Sequence, residues 1–138
     1  MKTAFLKYSV VALVILFAGY TFPQDSVQII INQHKHSIEN LIAGINSDNE
    51  GLRKSSIYFA GKYKLPETVD ALVEQLFSES NPSNRILIAR SLYEIGERDG
   101  IEAVKHISQT DSNKKVRRIS SLICKEYFKL NANNTASK

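Results

Sequence analysis

An asparagine followed four residues later by an arginine occurs three times in this chain at one spacing. The pairs are Asn49/Arg53, Asn81/Arg85 and Asn113/Arg117, each 32 residues from the next. Sliding the sequence by 32 aligns more than these two columns. Ala60, Leu92 and Cys124 fall together, as do Tyr63, Ile95 and Tyr127. Val69, Ala71 and Leu72 align with Ile101, Ala103 and Val104. A period of this length is the mark of a repeat architecture, in which each unit buries its apolar face against its neighbours.

Each unit holds two apolar-periodic segments separated by a polar turn. Steps of three and four residues place apolar side chains on one stripe of a helix. Such stripes run through Val27, Ile30, Ile31, His34, Ile38, Leu41, Ile42 and Ile45; through Leu52, Ser56, Phe59 and Tyr63; and through Val69, Leu72, Val73 and Leu76. Three more follow: Ile88, Leu92 and Ile95; Ile101, Val104 and Ile107; and Val116, Ser120, Ile123 and Tyr127. No segment shows strand alternation. The reading is an all-α chain, a short α-solenoid of about three antiparallel helix pairs, with helices over 26–46, 50–63, 66–79, 82–96, 100–109 and 114–130.

The two opening columns then acquire physical roles. Each Asn stands just before the second helix of its pair, where its side-chain oxygen can accept a bond from an unpaired first-turn N–H. Pro82 follows Asn81 at the first helical position, where a missing N–H costs nothing. Each Arg lies one turn into that helix, in reach of turn carbonyls or carboxylates of the adjacent unit. A solvated Arg is the alternative. A role repeated three times favours the tie between neighbours.

Helix pairs of this length, with Leu-Arg or Val-Arg opening the second helix, resemble HEAT repeats, above all the short form named after phycobilin lyases. The matching pieces are LRKSSIYFAGKY, NRILIARSLYEIG and VRRISSLICKEY. Asn stands where that family often carries Asp. The resemblance implies a protein-binding solenoid whose second helices line a concave face. With the Leu52 stripe and its equivalents turned to the core, that face would carry Lys54, Tyr58 and Lys62, then Ile86, Arg90 and Tyr93, then Arg118, Leu122 and Lys125. Lys54, Tyr58, Ile86, Arg90, Tyr93, Arg118 and Leu122 are the expected partner-binding residues, because aromatic residues and Arg are enriched at protein interfaces.

The first residues have another character. Lys2 and Lys7 precede an uncharged, largely apolar run over 8–24. A basic start and a short apolar run read as a secretory signal peptide over 1–24. An uncleaved membrane anchor ranks second, since the most apolar part, 10–18, falls short of the roughly 20 residues a spanning helix needs. The repeat domain is then 25–130, and the small, polar tail 131–138 is expected to be disordered. Export places the protein in the periplasm or outside the cell.

Charge and residue chemistry narrow the function. The formal charge is +4, or +2 without Lys2 and Lys7, too near neutrality for a general nucleic-acid binder. Residues 65–104 carry net −5 and residues 105–130 net +5. Two complementary halves of a solvated surface are the preferred reading, with a basic end docking an acidic partner as the alternative. His34 and His36 point to different sides of a helix and cannot chelate together, and His34 is expected to be a buried core residue. The single cysteine, Cys124, reads as a small buried thiol without a nearby base. The carboxylates look scattered, with no repeated acid/base arrangement. No catalytic residue, metal or cofactor is expected. The expected function is an exported, non-enzymatic scaffold that binds another protein. A tetrapyrrole-handling accessory resembling the bilin lyases, which visible absorbance of the purified protein would reveal, and a structural envelope protein are the alternatives.

Because the helix stripes begin only at Val27, a chain starting at Asp25 should be soluble and helical by circular dichroism. Aggregation of that chain under conditions where the full chain folds would overturn the signal-peptide reading.

Overall fold

The computed structural model describes residues 24–136, and side chains over 32–133. The chain divides into two compact units, 1–35 and 36–138. Of the first, only the opening of helix α1 (Gln24–Ile45) is described. The expected signal segment and the stripe residues Val27, Ile30 and Ile31 lie outside the described side chains.

The second unit contains the rest of α1 and five further helices: α2 (Glu50–Lys62), α3 (Val69–Ser78), α4 (Pro82–Ile95), α5 (Arg98–Thr110) and α6 (Lys114–Ala136). A single 3-10 turn, Pro66–Thr68, leads into α3. No strand occurs among the described residues. Helices α3 and α4, and α5 and α6, pack as pairs. The second helices form one layer, α2 against α4 and α4 against α6, while α3 lies against α5. The unit is a short all-α solenoid.

The core follows the stripes of the pairs. Leu72, Leu76, Ile88, Leu92, Val104 and Val116 are fully buried, and Ile45 reaches them from the end of α1. Burying each such side chain contributes about 1.5–3 kcal/mol. One expected stripe fails at three of its four positions, Ser56 alone being buried. Leu52, Phe59 and Tyr63 are 52%, 40% and 61% exposed, while Ile57, outside that stripe, is fully buried with Ala60. The cause is position in the stack. In α4 the corresponding face, through Asn84, Ile88 and Ser91, is buried, and Ser91 Oγ there donates to Ile57 O across 2.9 Å. In α6 the same columns bury Val116 and Ser120 and half-bury Ile123. This is the side on which a second helix receives the one before it, and α2 is the first of the row. His34 is exposed rather than buried. Helix α6 continues past the expected end at 130 to Ala136, so most of the expected disordered tail is helical.

Local chemistry sets the helix ends. Asn49 Oδ1 accepts from Leu52 N at 3.0 Å, Asn81 Oδ1 from Ser83 N at 2.9 Å, and Asn113 Oδ1 from Lys115 N at 2.9 Å. All three asparagines are therefore N-caps. Gly96 closes α4 at φ 82°, the left-handed conformation that glycine adopts without Cβ strain. Tyr127 of α6 donates its hydroxyl to Gly96 O at 3.2 Å, tying that cap to the next second helix.

The arginines link the repeats. Arg53 Nη1 donates to Ser47 O at 2.6 Å and its Nε to Glu79 Oε2 at 3.0 Å. Arg85 repeats the arrangement one unit on. Its Nη1 donates to Glu79 O and Ser80 O at 2.9 and 3.0 Å, and Nε and Nη2 grip the Asp111 carboxylate at 2.7 and 2.9 Å. Each guanidinium thus braces the turn of its own pair and holds the acid of the next. Glu79 and Asp111 are 32 residues apart, in the column that begins with Ser47. The carboxylates are not all scattered: two of them form a repeated structural column.

Both acid side chains are almost fully buried. Burial alone would raise their pKa values. For Glu79 the Asn81 amide, then Arg53 and Asn84, outweigh it, and for Asp111 the Arg85 and Asn113 bonds do so. Both carboxyl groups end below their ordinary range. Arg85→Ala should therefore cost about 3 kcal/mol, because it strands the buried Asp111 charge. Asn81→Ala should cost about 1 kcal/mol. Denaturant melts will show whether the larger loss falls at the arginine.

A depressed folded-state pKa also makes stability pH-dependent. The ion-pair contribution is complete above the unfolded carboxylate values of about 4 and is lost as pH falls through the lower folded-state values. Thermal midpoints should drop over that acid range, and Asp111→Asn should flatten the dependence.

Candidate functional site: the outer face of the second helices

The surface of the second-helix layer is built from residues on the sides of α2, α4 and α6 turned away from the stripes. Tyr58 and Leu122 are 51% and 54% exposed, large apolar groups standing in water. Lys54, Lys62, Arg90, Arg118 and Lys125 are exposed beside them. Ile86 differs from expectation. It is half-buried and packs against the core, as does its neighbour Leu87. Tyr93 is also half-buried.

The expected row is not one continuous groove. Tyr58, Lys62 and Arg90 line a shared hollow of about 390 Å³ between α2 and α4, completed by Leu87 and Glu94. Tyr93 belongs to a different hollow, with Tyr127 and Leu130. Arg118 lines a third with Lys114 and Lys115. The floor of the first hollow is set by Gly61. A Cβ at that position would sit 2.7 Å from the Ser91 Cα, so only glycine permits the two helices to approach here.

Charge and ring contacts fix several of these side chains. Lys54 Nζ pairs with Glu50 Oε1 at 2.7 Å, one turn back on α2. Glu50 also accepts from Asn84 Nδ2 at 3.3 Å, and the Lys54 bond first, then the Asn84 bond, lowers its pKa. Lys62 Nζ lies over the Tyr58 and Tyr63 rings, 5.8 and 5.6 Å from their centroids, at cation–π range. Tyr58 meets Phe59 and Phe59 stacks on Tyr63, giving α2 an aromatic cluster at its solvent side.

Sequence reasoning missed Glu94 and Leu87, which join the hollow from α4. Their signal was available: Arg90 with Leu87 and Glu94, at i−3 and i+4, marks one helix face. It also missed the exposure of Phe59 and Tyr63.

Cys124 is buried, and burial pushes its thiol pKa up, away from the reactive thiolate. Among the described residues no three His, Cys, Asp or Glu side chains group to hold a metal ion. His36 Nδ1 instead lies 3.1 Å from Glu39 Oε2 on the same helix. No helix among the described residues is long and apolar enough to cross a membrane.

No curated protein and no solved structure is significantly similar to the chain. The HEAT-repeat family matches residues 35–123, which span helix α1 from its middle to the core of α6 and include all three Asn/Arg turns. HEAT repeats are commonly protein-interaction scaffolds. With its helix pairs, its capped turns and its arginine links between neighbours, this chain belongs to the HEAT-repeat family.

Proposed function

We propose that the protein is an exported, non-enzymatic scaffold that binds another protein through the outer face of its second helices. The observation that carries this reading is the pairing of exposed Tyr58 and Leu122 with exposed Arg90 and Arg118 on one helix layer. Aromatic and apolar groups interleaved with Arg are the composition of a protein interface, and large apolar side chains in water gain by being covered. The hollow formed by Tyr58, Lys62, Leu87, Arg90 and Glu94 offers an anchor pocket for one partner side chain. Lys54 supports the rim rather than the centre, since Glu50 already holds it. Export rests on Lys2 and Lys7 followed by the uncharged run over 8–24.

The variant Tyr58→Ala/Arg90→Ala/Leu122→Ser changes only exposed positions and leaves the half-buried Ile86 unchanged. It should keep its helical signal and lose the partner captured by the wild-type protein from its own envelope fraction. Capture at wild-type strength would move the binding surface off the second helices.

A further inference from the structure

Among the described residues, two of the three arginine links end on a carboxylate, and the third does not. Arg117 Nη1 donates to Asp111 O at 2.6 Å and to Ser112 O at 3.0 Å. Arg85 makes the same pair of bonds to Glu79 O and Ser80 O. The two guanidinium groups are thus braced alike by their own turns. In Arg85 the remaining edge, Nε and Nη2, chelates Asp111. In Arg117 no carboxylate among the described residues reaches that edge, and Asp111, the nearest acid in sequence, is already gripped by Arg85 and capped by the Asn113 amide.

The local fold differs at this end of the row. The first helix of each later pair begins soon after the Tyr63 and Ile95 columns, and its far end returns the acid to the arginine. At the third such point, Tyr127, the chain does not turn. Helix α6 runs on to Ala136 through the column in which Pro66 and Arg98 begin the earlier returns.

A second copy of the chain does not fit the gap in register. The first turn, Ser47-Asp48-Asn49, has a serine where the later turns have Glu79 and Asp111. Ser47 Oγ accepts the Asn49 amide at 3.1 Å, the role that Glu79 and Asp111 play for Asn81 and Asn113. A copy continuing the row would offer Arg117 a hydroxyl in place of a carboxylate. The charge of this end of the chain favours an anion: Lys114, Lys115 and Arg118 lie within three residues of Arg117 in sequence, and residues 105–130 carry net +5.

We infer that the Nε–Nη2 edge of Arg117 is a preformed site for a carboxylate side chain of another protein, presented from an acid-Ser-Asn turn like this chain's own. The ligand chemistry is read from the molecule itself: Glu79-Ser80-Asn81 and Asp111-Ser112-Asn113 are the two segments that occupy the equivalent edges. Preorganisation by the turn carbonyls removes part of the ordering cost of a bidentate Arg–carboxylate pair. The site lies at the end of the ladder.

The test is a titration of the full-length, ¹⁵N-labelled protein followed through its arginine Nε–H signals, with Arg117 assigned by the loss of its signal in Arg117→Lys. The probes are the blocked peptide acetyl-Glu-Ser-Asn-Pro-amide, its Gln counterpart, and inorganic phosphate at matched ionic strength. The Glu peptide should shift the Arg117 signal saturably and leave those of Arg53 and Arg85 in place. The Gln peptide should bind roughly tenfold more weakly, the loss of a charge-assisted pair. An unmoved Arg117 signal, or equal shifts with both peptides, overturns the inference. So does phosphate saturating at a lower concentration than the Glu peptide, which would make this a phosphate site. A shift that appears on concentrating the protein alone assigns the edge to a second copy and overturns it as well.

Discussion

The stack depends on taking two carboxylates out of water. An isolated buried carboxylate is strongly unfavourable, and the attraction to a guanidinium offsets that only when geometry is good and the remaining lone pairs are satisfied. Here both conditions hold. Glu79 accepts from Arg53 and from Asn84 and Gln75 side chains, as well as the Asn81 amide. Asp111 accepts two bonds from Arg85 and one from the Asn113 amide. The same arginines satisfy turn carbonyls that end the preceding helices. Each link therefore serves three tasks at once: it closes a turn, neutralises an acid and fixes the spacing between pairs. Hydrophobic burial alone would leave neighbouring pairs freer to slide.

Much of this is legible in the sequence. The asparagine column needed only the capping preference and a helix start, and all three residues cap as expected. The arginine column needed only recurrence and reach. The acid column was harder to see, for a physical reason. A backbone amide can be satisfied by a serine hydroxyl as well as by a carboxylate, so Ser47 replaces the acid in the first turn, and Glu79 and Asp111 differ in length. A search for identical residues passes over a column conserved in role but not in type.

The exposed stripe on α2 was illegible for a different reason. Periodicity identifies an apolar face but not what covers it. Leu52, Phe59 and Tyr63 obey the same spacing as Val116, Ser120, Ile123 and Tyr127, yet only the latter have a preceding second helix to pack on. Position in the row is a property of the whole chain, invisible in a single window. The same blindness applied to Ile86, which packs partly against the core beside Leu87.

Gly61 facing Ser91 has a consequence for shape. The corresponding columns one repeat on hold Tyr93 and Ile123, both half-buried. Helix axes separate according to the side chains between them. The furrow between α2 and α4 is therefore narrow at this level, and that between α4 and α6 is filled by larger groups. A regular sequence has produced an irregular relief. A corrugated surface of equal furrows would let a ligand helix shift by one groove at little cost, whereas unequal furrows make every displaced register a poorer fit.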